Sequence, residues 1–206
     1  MISAHEALKR LQDGNLRFAS SDQKHGQLTG RIRHKELVTQ EPFAIILGCS
    51  DSRVPAEIVF DQGLGDLFVI RVAGNIVAPS QVGSVEFAAA RFGTPLVVVL
   101  GHSQCGAITA TLEELQQPTA NQSRNMRSIV DRVRPSVEAL LDTELRHDQK
   151  ALVNHAVRTN ILVSANHLRH GSDILEQLIL KNNLLVVGAE YSVESGVVDF
   201  FDGIPA

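Results

Sequence analysis

An excess of basic charge is missing from this sequence. Nineteen Lys and Arg stand against twenty-three Asp and Glu, so the 206 residues carry a formal net charge of −4. Nothing here offers the electrostatic footprint with which a protein grips a phosphate backbone, and nucleic acid is excluded as the main partner. Long apolar runs are missing too. None approaches the roughly 18 residues that a membrane span needs, so no membrane partner is expected. The opening stretch, MISAHEALKRLQDGN, has neither a basic segment leading into an apolar one nor the arginine- and serine-rich, acid-poor look of a transit peptide. A cytoplasmic protein is therefore expected. Aromatic residues are scarce at 4%, with no Trp and one Tyr, Tyr191. Cysteine is scarcer still: Cys49 and Cys105, far apart in sequence, are too few for a disulfide framework.

What is present is ordinary globular material, 44% hydrophobic and 20% charged, of a length that suits one domain with a core needing no staples. Three short runs of β-branched and aliphatic residues stand out, at 43–47 (FAIIL), 67–72 (LFVIRV) and 96–100 (LVVVL), with a fourth at 184–187 (LLVV). Runs of this length without polar alternation fit strands covered on both faces, as in a parallel sheet between helices. Ser3 followed by Glu6 reads as a capping box that opens a helix through about Phe18. Further helices are expected at 80–92, 106–117, 125–141 with a kink or break at Pro135, 149–169 and 172–182, with loops over 20–30 and 118–124. Strand and helix alternate, so the fold class is α/β, a central mostly parallel sheet flanked by helices. Leu8, Leu11 and Phe18 give the first helix an apolar side, which packs either on its own chain or on a partner.

Two of the apolar runs lead into loops rich in metal-ligand types. The first ends in Gly48-Cys49-Ser50-Asp51-Ser52-Arg53, the third in Gly101-His102-Ser103-Gln104-Cys105-Gly106. In an open α/β sheet the loops at the carboxyl ends of parallel strands converge on one crevice, which would bring Cys49, Asp51, Arg53, His102 and Cys105 together. Both cysteines sit in polar, glycine-flanked contexts and are expected to be exposed. Two thiolates and one imidazole form the Cys2His set that zinc uses where its fourth position stays open. No third cysteine exists to close a structural site, so a fourth ligand must be a second His, a carboxylate or solvent. Asp51 is the nearest carboxylate. Arg53, two residues on, is placed to hold it by a bidentate pair and so to keep that position free. The other histidines, His5, His25, His34, His147, His155, His167 and His170, read as solvated residues.

CSDSR followed by GHSQCG, with RVAGN and GSVEFA between them, resembles the β-class carbonic anhydrases. The similarity extends from LKRLQDGNLRFA to the stretch from Tyr191 to Gly196, essentially the whole chain. It implies a helical N-terminal arm over residues 1–35, a catalytic α/β core over 36–206, and a zinc lyase that interconverts carbon dioxide and bicarbonate by attack of zinc-bound hydroxide. One zinc per chain would be held by Cys49, His102 and Cys105, with Asp51 and Arg53 as a catalytic dyad that gates the metal and Asp51 as an alternative ligand. The resemblance further implies a homodimer or dimer of dimers, with N-terminal helices wrapping the neighbour. Gln40 matches a glutamine that points its amide at the substrate, Phe68 a pocket phenylalanine and Phe87 a position often held by tyrosine. Ala73 and Gly74 line the same pocket wall, and Gln40 and Phe68 are expected from across the dimer. Arg71 and Tyr191 fall at two positions of a noncatalytic bicarbonate pocket found in some relatives, but Ile46 replaces its Trp.

Three other readings share these residues. One is a noncatalytic zinc module closed permanently by Asp51, one a same-fold hydrolase of carbonyl sulfide or carbon disulfide, and one a redox dithiol in which Cys49 and Cys105 form a disulfide and bind no metal.

Overall fold

The computed structural model describes residues 2–24, 40–118, 123–181 and 183–204. Five strands form one sheet: β1 (Ala44–Gly48), β2 (Leu67–Arg71), β3 (Leu96–His102), β4 (Leu185–Tyr191) and β5 (Val198–Asp202), in the spatial order β2-β1-β3-β4-β5. The first four run parallel, and β5 pairs antiparallel with β4. Every residue of β1 and β3 is buried, because each face of these strands is covered. That is why they show no polar alternation. The strand β5 escapes the sequence pattern: VDFFD carries two aspartates and only Val198 is fully buried, as suits a half-solvated edge strand.

Two cores lie on opposite faces of the sheet. Ile45, Leu47, Val97 and Val99 point into one, where α3 (Pro79–Phe92), α4 (Gly106–Gln116), α5 (Arg124–Val137), α6 (Gln149–His170) and α7 (Asp173–Leu180) gather. Ala44, Ile46, Val98 and Leu100 point into the other, beneath α1 (Ala4–Ala19) and the short α2 (Ala56–Val59). The alternation follows from the period-two geometry of strands.

The capping box is formed: the Ser3 side chain accepts from the Glu6 N–H while Glu6 accepts from the Ser3 N–H. The helix it opens lies on its own chain's sheet, with Leu8 and Leu11 buried in the second core. Leu8 and Leu11 are thus covered by the helix's own chain, while Leu16 of the same helix stays exposed. Gly14 permits the close approach, since a Cβ there would collide with the Phe60 carbonyl oxygen. Pro135 does not break α5 where expected. The helix continues to Val137 before tightening into 3₁₀ turns at Glu138–Asp142 and Glu144–His147. The lost N–H of Pro135 falls in the last helical turn, where it disturbs little that follows. The expected arm boundary near residue 35, most of the loop at 20–30, part of the loop at 118–124, and His25 and His34 lie outside the described residues.

Strand order sets the position of the site. The chain leaves β1 to form β2 on one side and returns to form β3 on the other, so connections from neighbouring parallel strands diverge above the carboxyl ends of β1 and β3. A crevice is expected at such a switch point.

Candidate metal centre

Gly48 at the end of β1 is in register with Leu100 of β3, so the residues that follow each strand emerge side by side. Cys49 Sγ and Cys105 Sγ stand 4.0 Å apart, and with a ring nitrogen of His102 they form a trio whose donor atoms all lie within 4.8 Å of one another. For zinc–sulfur bonds of about 2.3 Å in tetrahedral geometry, two sulfurs would be about 3.8 Å apart. A disulfide needs about 2.05 Å, and both cysteines are free. They are also buried, at 5% and 1% exposure, contrary to the exposure expected from their polar sequence neighbours. Those neighbours are polar because they turn outward at the strand ends, while the sulfurs turn into the cleft.

His102 is wholly buried. Its Nδ1 lies 2.9 Å from the Ser103 carbonyl oxygen, which assigns the proton to Nδ1 as donor and leaves the lone pair on Nε2. That atom is buried without any hydrogen-bond partner. A buried acceptor left unpaired costs on the order of 1–3 kcal/mol, and here it faces two sulfurs. The donor set, the spacing and the orphaned nitrogen fit a zinc ion. The hydrogen bond from Cys105 pulls the Cys49 thiol down, and the same bond together with burial pushes Cys105 up.

Asp51 sits beside this trio. Arg53 grips it with a fork: Nε donates to Oδ1 at 2.9 Å and Nη2 to Oδ2 at 2.8 Å, while the Arg53 backbone N–H also donates to Oδ1. These bonds hold the Asp51 carboxyl well below the usual carboxylate range, against a smaller opposing effect of burial. Asp51 Oδ2 is 3.9 Å from His102 Nε2, so the carboxylate is close to the trio but committed to the guanidinium.

Sequence reasoning missed the bracket behind the fork. Arg53 Nη2 also donates to the Gln104 carbonyl oxygen at 3.3 Å. Gln104 itself adopts a left-handed φ of 56° and gives its side-chain amide to Glu194, which accepts from Ser103 and Ser192 as well. Those hydrogen bonds, led by Ser103, push the Glu194 carboxyl down to about 2. The only sequence signal was an acidic residue in the polar turn between β4 and β5.

Of the other expected residues, Gly74 comes to the site, where its N–H donates to Cys49 Sγ at 3.4 Å, and Ala73 precedes it in the same 3₁₀ turn. Arg71 donates to the carbonyl oxygens of Cys49 and Asp51. Tyr191 pairs with His102 across the strands, and Ile46 is fully buried within β1. Gln40, Phe68 and Phe87 are not brought to the trio. Gln40 precedes β1, at the end of the strand opposite Cys49. Phe68 is in register with Ile45, four residues and about 13 Å short of Cys49 along the strand. Phe87, 53% exposed, joins Phe68 and Phe92 in an aromatic cluster with ring centroids 5.5–6.3 Å apart. His5, His147, His155, His167 and His170 are exposed.

Known proteins agree with this geometry. The sequence model of the carbonic anhydrase family matches residues 44–198. Carbonic anhydrase 2 of Mycobacterium tuberculosis is 37% identical over 92% of this chain and 89% of its own length. Among solved structures, the β-carbonic anhydrase CcaA superposes with a TM-score of 0.70 at 25% identity, covering 97% of this chain and 93% of that one. A tetrameric β-carbonic anhydrase of Sordaria macrospora superposes with a TM-score of 0.73 at 23% identity, covering 96% and 95%.

Proposed function

The chain belongs to the carbonic anhydrases of the β class, and from that premise we propose that it interconverts carbon dioxide and bicarbonate at one zinc ion held by Cys49, His102 and Cys105. The observation that carries this reading is the fork between Asp51 and Arg53 beside a buried Cys-His-Cys trio whose imidazole nitrogen has no other partner. When bound, zinc supplies a Lewis acid that brings the pKa of a water molecule toward about 7.

The chain's own groups do the rest. Arg53 occupies both oxygens of Asp51 and so competes with the metal for the carboxylate, which leaves the fourth position to solvent. Asp51, ionised at any working pH, accepts a hydrogen bond from the attacking oxygen and turns its lone pair toward the carbon of the substrate. Carbon dioxide is uncharged and asks for little hydrogen bonding, so apolar walls such as Ala73, Phe68 and Phe87 suffice to hold it, and the Gln40 amide orients one of its oxygens. Gln40 before β1 and Phe68 near the start of β2 lie at the sheet end away from the metal ligands, with Phe87 of α3 against Phe68, which supports a homodimer, or a dimer of dimers, in which they serve the partner's site. A cytoplasmic setting suits two free cysteines, and among the described residues no helix is long and apolar enough to cross a membrane.

Metal analysis paired with stopped-flow carbon dioxide hydration from pH 6.5 to 9 tests the reading. One zinc per chain and turnover rising between about pH 7 and 8.5 are expected. Stoichiometric zinc with no hydration at any of these pH values would leave the closed zinc module or the same-fold hydrolase of carbonyl sulfide or carbon disulfide, and a flat profile would remove the gating role of Asp51 and Arg53.

A further inference from the structure

Helix α6 carries a buried row at successive steps of four, Leu152, Ala156, Asn160, Ser164 and Leu168. Two of these five are polar, at 2% and 5% exposure. A helix burying such a row against a sheet has no packing reason for an amide and a hydroxyl at its centre. Both reach the same short segment. Asn160 Nδ2 donates to the Gly74 carbonyl oxygen at 2.8 Å, and Ser164 Oγ donates to the Asn75 carbonyl oxygen at 3.2 Å. A third buried polar residue, Ser136 of α5, lies 3.2 Å from Asn160 Oδ1, with its hydroxyl also 2.6 Å from the Val133 carbonyl oxygen.

The segment they hold is unusual. Gly74 and Asn75 both have left-handed backbones, with φ of 68° and 42°, and Asn75 is 2% exposed. A non-glycine residue in such a conformation is strained and persists only where its surroundings over-determine it. The strained turn reaches the candidate metal centre through the N–H of Gly74, which donates to Cys49 Sγ. A Cβ at Gly74 would press on Ala107 at 3.3 Å and Val133 at 3.5 Å, so the turn is wedged between α4 and α5 as well as tied from α6.

We propose that Asn160 and Ser164 are positioning residues of the metal centre: they clamp the Gly74–Asn75 turn so that the Gly74 N–H donates to the Cys49 sulfur, placing that ligand and drawing charge from it. The proposal rests on the reading of Cys49 as a metal ligand. An N–H donated to a thiolate stabilises the sulfur lone pair, so more energy is needed to transfer an electron from sulfur to metal. Outer-shell groups of this kind commonly decide the affinity of a site as well as its electronics.

Cobalt(II) loaded into the full chain reads this directly through the sulfur-to-metal charge-transfer band. Asn160→Ala and Ser164→Ala are each expected to move the band to longer wavelength, Asn160→Ala by more, and to lose about tenfold in metal affinity by chelator competition. Leu168→Ala, on the same row but remote from the turn, is expected to lower Tm and leave the band in place. Should Asn160→Ala fail to fold, the milder Ser164→Ala decides. A band unmoved in the folded variants, or moved as far by Leu168→Ala, overturns the proposal while the metal ligands stand. A parent protein with no charge-transfer band overturns both.

Discussion

At the carboxyl ends of β1 and β3 a single chain brings together two sulfurs, an imidazole and a locked carboxylate, whereas at the amino ends of β1 and β2 the same chain leaves an aromatic cluster with Phe87 half in solvent and Gln40 exposed. The first region is saturated with hydrogen bonds: Asp51, Arg53, Gln104, Ser103 and Glu194 form one connected set. Around the second the bonds are separate ones, from Thr94 Oγ1 to the Pro42 carbonyl oxygen, from the Phe43 N–H to the Asp66 carbonyl oxygen and between Arg10 and Asp66. On the proposed function, metal binding would belong to one chain and turnover to two.

The largest effect expected is from Cys49→Ser or Cys105→Ser, which should abolish both stoichiometric zinc and hydration. A substituted protein that kept zinc by elemental analysis and turned over normally would erase the distinction between the two regions. Phe87→Arg sharpens it. Phe87 is exposed enough for the chain to fold with a charge there, so zinc should remain while the protein sediments as a 22.4 kDa species and turnover falls about 100-fold for want of partner groups. An active monomer would place the whole site in one chain.

Arg53→Ala comes next. Without its guanidinium the Asp51 carboxyl rises toward the ordinary range but stays ionised at pH 7, free to occupy the metal's fourth position. Zinc should be retained and neutral-pH turnover should drop about 10- to 100-fold. The smallest effect is expected from Glu194→Gln, a few-fold loss of turnover through slack in Gln104 and Arg53. Its clearer signature is in acid stability. The folded carboxyl at about 2 lies below its unfolded value of about 4.3, so its contribution is complete above the unfolded value and disappears as pH falls toward the folded one. The Tm difference between parent and Glu194→Gln should be present at pH 6 and closed near pH 2.

The sequence by itself determined the α/β class, the first four strands, the capped first helix and the ligand types after β1 and β3, because each is a local matter of hydrophobic period, capping chemistry or donor type. It also marked Asp51 and Arg53 as a pair, since two residues in one loop can meet without help from the fold. Only the tertiary structure decided that Cys49 and Cys105 are buried, because burial depends on which way a strand-end residue turns. It decided that α1 lies on its own sheet, that Asn160 and Ser164 meet the Gly74–Asn75 turn and that Glu194 meets Ser103 and Gln104. These last contacts span 86, 89 and 90 or 91 positions in sequence, and no local pattern records which distant backbone a buried amide or a turn carboxylate will meet.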